Sequence, residues 1–171
     1  MNDLPQASNL TPTLFADDTL LTIDCANSAN LQNGVNSELQ KVDEWMRYKL
    51  SFNYSKTTYM LLNSNLSQSC NFNVKINDNK IKHTTCTEYF GVYIDQHLSW
   101  TDHIHNLEIK LSRSVAMFYW IRYYLINNAL RSVYYSLTYS QLQYAIGVWG
   151  GAGRIALNRL NVLHNKVLKA I

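Results

Sequence analysis

Thr13-Leu14-Phe15-Ala16-Asp17-Asp18-Thr19-Leu20-Leu21-Thr22-Ile23 sets two adjacent carboxylates between apolar, aromatic and β-branched residues, with no basic residue among them. The nearest basic residue in sequence is Lys41. Flanks of this kind favour strands, so the stretch reads as two short strands joined at Asp17-Asp18. Neighbouring side chains at a tight turn converge. Two carboxylates so placed repel each other, and a cation relieves that repulsion. Hard cations such as Mg²⁺ take oxygen ligands, which makes the tip half of a metal site. Asp is also a common turn residue, and a solvated turn is the plainer alternative for these residues alone.

The surrounding chain has 171 residues, enough for one medium domain or two small lobes. An apolar content of 47% supports a packed core rather than disorder. Cys25, Cys70 and Cys86 are odd in number and lack metal-ligand spacing, so they read as reduced thiols. The polar start Met1-Asn2-Asp3-Leu4-Pro5 does not resemble a signal sequence. The best apolar run, 115–126, is broken by Arg122, which argues against a membrane span. Together these point to an intracellular protein, nuclear or cytoplasmic. Residues 1–100 carry seven Lys/Arg against ten Asp/Glu, and 101–171 carry eight against two. An acidic part bearing the carboxylates joined to a basic, Tyr-rich part suits a polyanionic partner, though solvated helix surfaces look the same by charge alone.

Downstream of the paired acids, Leu31, Val35, Leu39, Val42 and Met46 recur at helical spacing, with Ser28 or Asn30 as cap. Gln32, Asn36, Gln40, Asp43 and Arg47 fall on the opposite face of this helix, which reads as laid on a sheet with no chemistry of its own. A buried strand is expected at Thr58-Tyr59-Met60-Leu61-Leu62. A hairpin follows, turning at Asn77-Asp78-Asn79 between the alternating Phe72, Val74 and Ile76 and the run Lys80-Ile81-Lys82. One more strand covers Glu88-Tyr89-Phe90-Gly91-Val92-Tyr93-Ile94, with Gly91 marking a bulge or a close backbone approach. From Ser99 the period becomes helical. Ser99 and Asp102 have capping-box spacing, and Ile104, Leu107, Leu111, Val115 and Phe118 mark a long helix ending near Leu125. Helices over 129–140, with Leu130, Val133 and Leu137 inward, and over 141–149 come next. After the break Gly150-Gly151-Ala152-Gly153, a last helix turns Leu157, Leu160, Leu163 and Val167 inward and leaves Arg154, Arg159, Lys166 and Lys169 outward. The order of elements is α+β: sheet and helix first, then helices alone.

In sequence order, Asn2-Asp3-Leu4-Pro5, Phe15-Ala16-Asp17-Asp18, Trp45 with Lys49-Leu50-Ser51-Phe52-Asn53 and Lys56-Thr57, Tyr89-Phe90-Gly91-Val92 with Ile94-Asp95 and Leu98-Ser99-Trp100, and Tyr134, Leu142, Tyr144, Trp149-Gly150 and Asn165-Lys166-Val167-Leu168 resemble the reverse transcriptases of non-LTR, LINE-type (jockey-like) retrotransposons. The resemblance covers nearly the whole chain. Tyr48, Ser140 and His164 depart from the residues usual at those positions.

The resemblance implies a partial polymerase palm over 1–98 and a helical thumb over 99–171. It implies RNA-templated DNA synthesis, in which a primer 3′-hydroxyl attacks a deoxynucleotide's α-phosphate with two Mg²⁺ ions about 3.5–4 Å apart. Asp17 would be the principal metal ligand and Asp18 a lesser one. Lys56 would steady the departing pyrophosphate, unless it is a solvated loop lysine. Tyr89, Phe90 and Gly91 would form the primer grip. Arg113, Arg122 and Arg131 would contact the product duplex, with many of the intervening tyrosines packing instead. The implied partners are an RNA template, a DNA primer and deoxynucleotides, with no membrane and no obligate protein partner. Only sixteen residues precede Asp17, too few for the fingers and the strand that bears a further catalytic Asp in this family. The chain is therefore expected to be a polymerase fragment, inactive alone. The alternative is a non-catalytic nucleic-acid-binding remnant that uses the basic helices.

Overall fold

The computed structural model describes residues 8–15, 18–24, 28–47, 53–62 and 72–171. Their architecture is α+β, with helices and four separate two-stranded pairings. The chain divides into two compact units: Met1–Met60 with Asn65–Thr84, and Leu61–Ser64 with Thr85–Ile171.

In the first unit, β1 (Thr11–Phe15) and β2 (Asp18–Thr22) pair antiparallel, from Thr11 opposite Thr22 to Phe15 opposite Asp18. Side chains alternate across the ladder. Leu14 and Leu21 lie on the covered face and pack with Leu10, Val42 and Met46. Val42 and Met46 belong to α1 (Ser28–Arg47), whose predicted apolar stripe is buried at these two residues and half-buried at Leu31, Val35 and Leu39. Asn30 lies inside this helix rather than at its cap.

The polar side of α1 makes contacts of its own. The Asn36 side chain donates to the Asn73 carbonyl (3.2 Å) and accepts from the Lys75 N–H (3.0 Å), and Gln32 accepts from the Asn73 N–H (3.3 Å). These side chains stand in for a neighbouring strand, pairing backbone groups of Asn73 and Lys75. Asp43 is buried and accepts from Arg47 Nε (2.9 Å), Asn77 Nδ2 (2.8 Å) and the Tyr54 hydroxyl (3.3 Å).

The segment so held forms β4 (Lys75–Ile76) and β5 (Asn79–Lys80) around Asn77-Asp78. Asn77 adopts φ 54°, as the first central residue of a two-residue hairpin turn often does. Val74, Ile76 and Ile81 fill a second small core with Val35, Leu39 and Tyr59. The expected buried strand at 58–62 shrinks to β3 (Thr58–Tyr59), which pairs parallel with β6 (Lys82–His83). Leu62 is 59% exposed, so its apolar character signals no burial.

In the second unit, the expected single strand through Gly91 is instead a hairpin. β7 (Cys86–Tyr89) and β8 (Val92–Asp95) pair antiparallel, and Phe90 and Gly91 form the turn with φ 50° and 72°. Two consecutive positive φ values match the right-handed twist of the flanking strands. Next comes α2 (Thr101–Ile121). Its N-cap residue is Trp100, without a side-chain cap, and Ser99 Oγ accepts from the Thr101 N–H (3.4 Å) rather than pairing with Asp102 in a capping box. The Asp95 carboxylate organises the approach instead, accepting the backbone N–H groups of His97 (3.2 Å), Ser99 (3.1 Å) and Trp100 (2.9 Å). Burial pushes the Asp95 carboxyl up, but these hydrogen bonds outweigh it and hold the group below its ordinary range.

Helix α2 ends at Ile121 rather than near Leu125. Then come α3 (Asn127–Val133), a π-helical stretch Tyr134–Tyr139 and α4 (Ser140–Gln143). The π-helical stretch resets the inward face: Leu130, Tyr134 and Thr138 are buried, while Leu137, expected inward, is exposed. The helix expected over 141–149 is broken where Tyr144 is extended and Ala145 is left-handed, and α5 (Ile146–Trp149) follows. After the glycines, α6 (Arg154–Leu168) buries Leu160 and Val167 and half-buries Leu157 and Leu163. Ile104, Leu107 and Leu111 of α2 join Trp149 and Leu160 in one core, and Phe118 joins Leu130, Tyr134 and Val167 in another. Each large side chain so buried contributes about 1.5–3 kcal/mol of transfer free energy.

Candidate functional site

The β1–β2 ladder runs to Phe15 opposite Asp18. The sequence reading joins the strands at Asp17-Asp18. The ladder instead takes Asp18 into β2, because Asp18 lies directly opposite Phe15. Asp18 is exposed, on the face opposite Leu14 and Leu21, so packing on α1 fixes the hairpin while leaving this carboxylate in solvent. The ion pairs among the described residues lie elsewhere, at Lys41–Glu38, Arg47–Asp43 and His105–Glu108. Asp17 lies outside the described residues, as do Asn2-Asp3-Leu4-Pro5, Lys49-Leu50-Ser51-Phe52, Cys25 and Cys70.

Asp18 supplies the oxygen chemistry that a hard divalent cation takes. Among the described residues it does so without companions: no group of three or more His, Cys, Asp or Glu is placed to hold a metal.

Lys56 belongs to the same unit and is exposed. Its turn is built by Asn53, whose carbonyl accepts the N–H groups of Lys56 (3.1 Å) and Thr57 (3.0 Å) and the Thr57 hydroxyl (2.9 Å). The Asn53 side chain accepts from Ser55 Oγ (2.7 Å). The backbone is thus fixed while the ammonium is left to solvent.

In the second unit, Tyr89, Phe90 and Gly91 occupy one hairpin tip. The Tyr89 and Phe90 rings lie 3.9 Å apart between centroids. The Tyr144 hydroxyl donates to the Phe90 carbonyl at 2.6 Å. Any Cβ on Gly91 would sit 3.7 Å from the Tyr144 ring, and its φ of 72° already disfavours one. The sequence expectation of a bulge or a close backbone approach at Gly91 is thus replaced by a turn glycine in ordinary contact with an aromatic side chain. The Tyr144 carbonyl also accepts from Trp149 Nε1 (2.8 Å), tying the tip to the core. In sequence, Tyr144 enters only as part of a thumb motif. Nothing local joins it to a turn 54 residues away.

Arg113 and Arg131 are exposed. Arg122 is half-buried, its guanidinium carbon 5.0 Å from the Tyr119 ring centroid and 4.7 Å from that of Tyr123, with Nη2 donating to the Tyr123 hydroxyl at 2.6 Å. Cation–π contact of this kind holds the charge in place. Cys86 opens β7. Burial, a hydrogen bond to Asp102, and the charges of Asp102 and Asp95 push its thiol up to about 11, which leaves it protonated at neutral pH and a poor nucleophile. No helix among the described residues is long and apolar enough to cross a membrane.

Over 161 residues, 92% of its length, the chain is similar to three curated proteins. It is 24% identical to the probable RNA-directed DNA polymerase from transposon X-element of Drosophila melanogaster. It is 26% identical to the RNA-directed DNA polymerase from mobile element jockey of the same species, and 27% identical to that of Drosophila funebris. The resemblance to non-LTR retrotransposon reverse transcriptases therefore holds along almost the entire chain. The chain spans only 17–18% of the length of these relatives. No protein-family profile and no solved structure matches it.

Proposed function

We propose that the chain is part of the RNA-directed DNA polymerase of a non-LTR retrotransposon, comprising the C-terminal palm over 1–98 and the helical thumb over 99–171. The observation that carries this reading is the similarity over 161 residues to three such polymerases. Supporting it are an exposed Asp18 at the start of β2, an exposed Lys56 on a fixed turn and a tightly held tip at 89–91.

In this reading Asp17 and Asp18 hold Mg²⁺, with Asp17 the principal ligand. When bound, two such ions favour attack by the primer 3′-hydroxyl and neutralise charge on the departing pyrophosphate. Lys56 adds positive charge on the leaving-group side. The tip at Tyr89, Phe90 and Gly91 lies against the primer backbone, where a side chain at Gly91 would obstruct close approach. Arg113, Arg122 and Arg131 meet phosphates of the RNA–DNA product. These 171 residues by themselves do not polymerise.

A second reading is a nucleic-acid-binding piece without chemistry. It is favoured by residues 109–171, which hold eight Lys/Arg and no Asp or Glu. Both readings predict salt-dependent binding of an RNA–DNA hybrid. Only the first predicts that Mn²⁺, used as a paramagnetic probe, binds the chain and is lost in the Asp17→Ala, Asp18→Ala double variant. Unchanged Mn²⁺ binding in that variant would remove the metal site. Primer extension by the isolated chain that disappears with Asp17→Ala would overturn the inactivity.

A further inference from the structure

We infer that the aromatic end of α2, formed by Trp120, Tyr123 and Tyr124 around Arg122, is a stacking site for the bases of single-stranded nucleic acid. The inference rests on the nucleic-acid reading above and adds a partner form and a binding mode to it.

Trp120 is 69% exposed, Tyr123 75% and Tyr124 73%. Scattered exposed aromatics are ordinary, but here three large exposed rings fall within five residues, with Trp120 and Tyr124 in contact and Ile126 exposed just beyond. The surface is ordered. The Tyr124 N–H donates to the Ile121 carbonyl at 2.9 Å, the Arg122 N–H to the Phe118 carbonyl at 3.1 Å, and the Trp120 and Tyr124 ring centroids lie 5.5 Å apart. Phe118 itself is fully buried, so the platform is rooted in the core.

Charge selects the occupant. From residue 109 to 171 the chain has no acidic side chain, and Arg122 sits against the rings of Tyr119 and Tyr123. A polyanionic ligand meets no repelling side chain from this stretch. A phosphate contact by Arg122, opposed in part by the negative end of the helix dipole, leaves the exposed ring faces unused. Flat ring faces beside a single cation instead suit unpaired bases, which stack on aromatic side chains irrespective of sequence. A duplex hides its base faces and gains nothing from these rings.

The test uses the 171-residue chain at low salt, with fluorescein-labelled single-stranded RNA, a matched oligonucleotide of abasic sites, and an RNA–DNA hybrid, followed by anisotropy. Trp120→Ala is expected to weaken single-strand binding about tenfold while leaving abasic and hybrid binding unchanged. Trp120→Phe, which keeps a ring, should restore most of the loss. Circular dichroism checks that this exposed position leaves the fold intact. Equal affinity of the abasic and normal strands, or an unaltered affinity in both Trp120→Ala and Tyr124→Ala, would overturn the stacking site while leaving the nucleic-acid reading in place. Absence of binding to any of the three probes would overturn both. A dimer in sedimentation that Trp120→Ala dissociates, with oligonucleotide binding unaffected, would assign the face to a second copy of the chain and overturn the inference.

Discussion

The Tyr144 hydroxyl donates to the carbonyl oxygen of Phe90 at 2.6 Å, joining the end of one helix to a hairpin tip 54 residues earlier in the chain. Phe90 has a positive φ, which costs a non-glycine residue about 1 kcal/mol or more. The long-range hydrogen bond and the adjacent ring hold the tip in that conformation. Tyr144→Phe keeps the ring and removes the donor. It should destabilise the chain by about 0.5–1.5 kcal/mol, towards the lower figure because Tyr144 is half exposed. Amide hydrogen exchange at Gly91 and Val92 should accelerate more than exchange within α2.

Asp95 gives a pH-dependent prediction. Its folded pKa lies below the ordinary value, so the unfolded chain takes up a proton first as pH falls. The stabilisation is complete well above about pH 4, declines as the pH drops through that value, and is gone below the depressed folded pKa. Asp95→Asn should lower the melting temperature at pH 7 through the loss of charge-assisted bonds to three backbone N–H groups. Melting curves of variant and parent should converge at the acid end.

His103 and His164 act in a different window. Burial lowers the pKa of both, and the Lys110 charge adds to the effect at His103. Below about pH 6.5 the unfolded histidines are protonated while the folded ones remain neutral, so stability falls as pH falls until the folded pKa values are reached. His164 pairs with the Tyr134 hydroxyl at 2.7 Å, a contact that an uncharged Gln can replace. His164→Gln should flatten the melting temperature between about pH 7.5 and 5 without a large loss at the upper end.

Gly150 ends α5 where a Cβ would collide with the backbone carbonyl of Ile146. The obstacle is main chain, so no side-chain rotation relieves it. Gly150→Ala should cost about 1–3 kcal/mol, read as a lower urea midpoint, whereas Gly151→Ala, with nothing near its Cβ, should be close to neutral.

Asp43 holds three donors while almost fully buried. Asp43→Ala strands the Asn77 amide at a residue already in the left-handed region, and should cost about 1–3 kcal/mol. Arg47→Ala, which removes a largely exposed partner, should cost less than about 1 kcal/mol. Urea denaturation of both variants checks the order.

The sequence alone determined the elements that depend on spacing. Steps of three and four between apolar residues are local facts, and so Val42 and Met46, Ile104 to Phe118, and Leu160 and Val167 were legible as the inner faces of helices. The same is true of the two strands around Asp17-Asp18, though not of Asp18's place in the second of them, and of the family resemblance, since these lie in the order of residues along the chain. Tertiary structure decided what depends on partners far along the chain. Glu88 to Ile94 alternates like one strand, and the pairing of 86–89 with 92–95, braced by Tyr144 on Phe90, is what makes Phe90-Gly91 a turn. Gln32, Asn36 and Asp43 show by spacing only that they lie opposite the apolar stripe, and the fold alone brings Asn73, Lys75 and Asn77 to them. Hydrophobic period is written residue by residue, whereas the pairing of a buried polar group is a property of two segments at once.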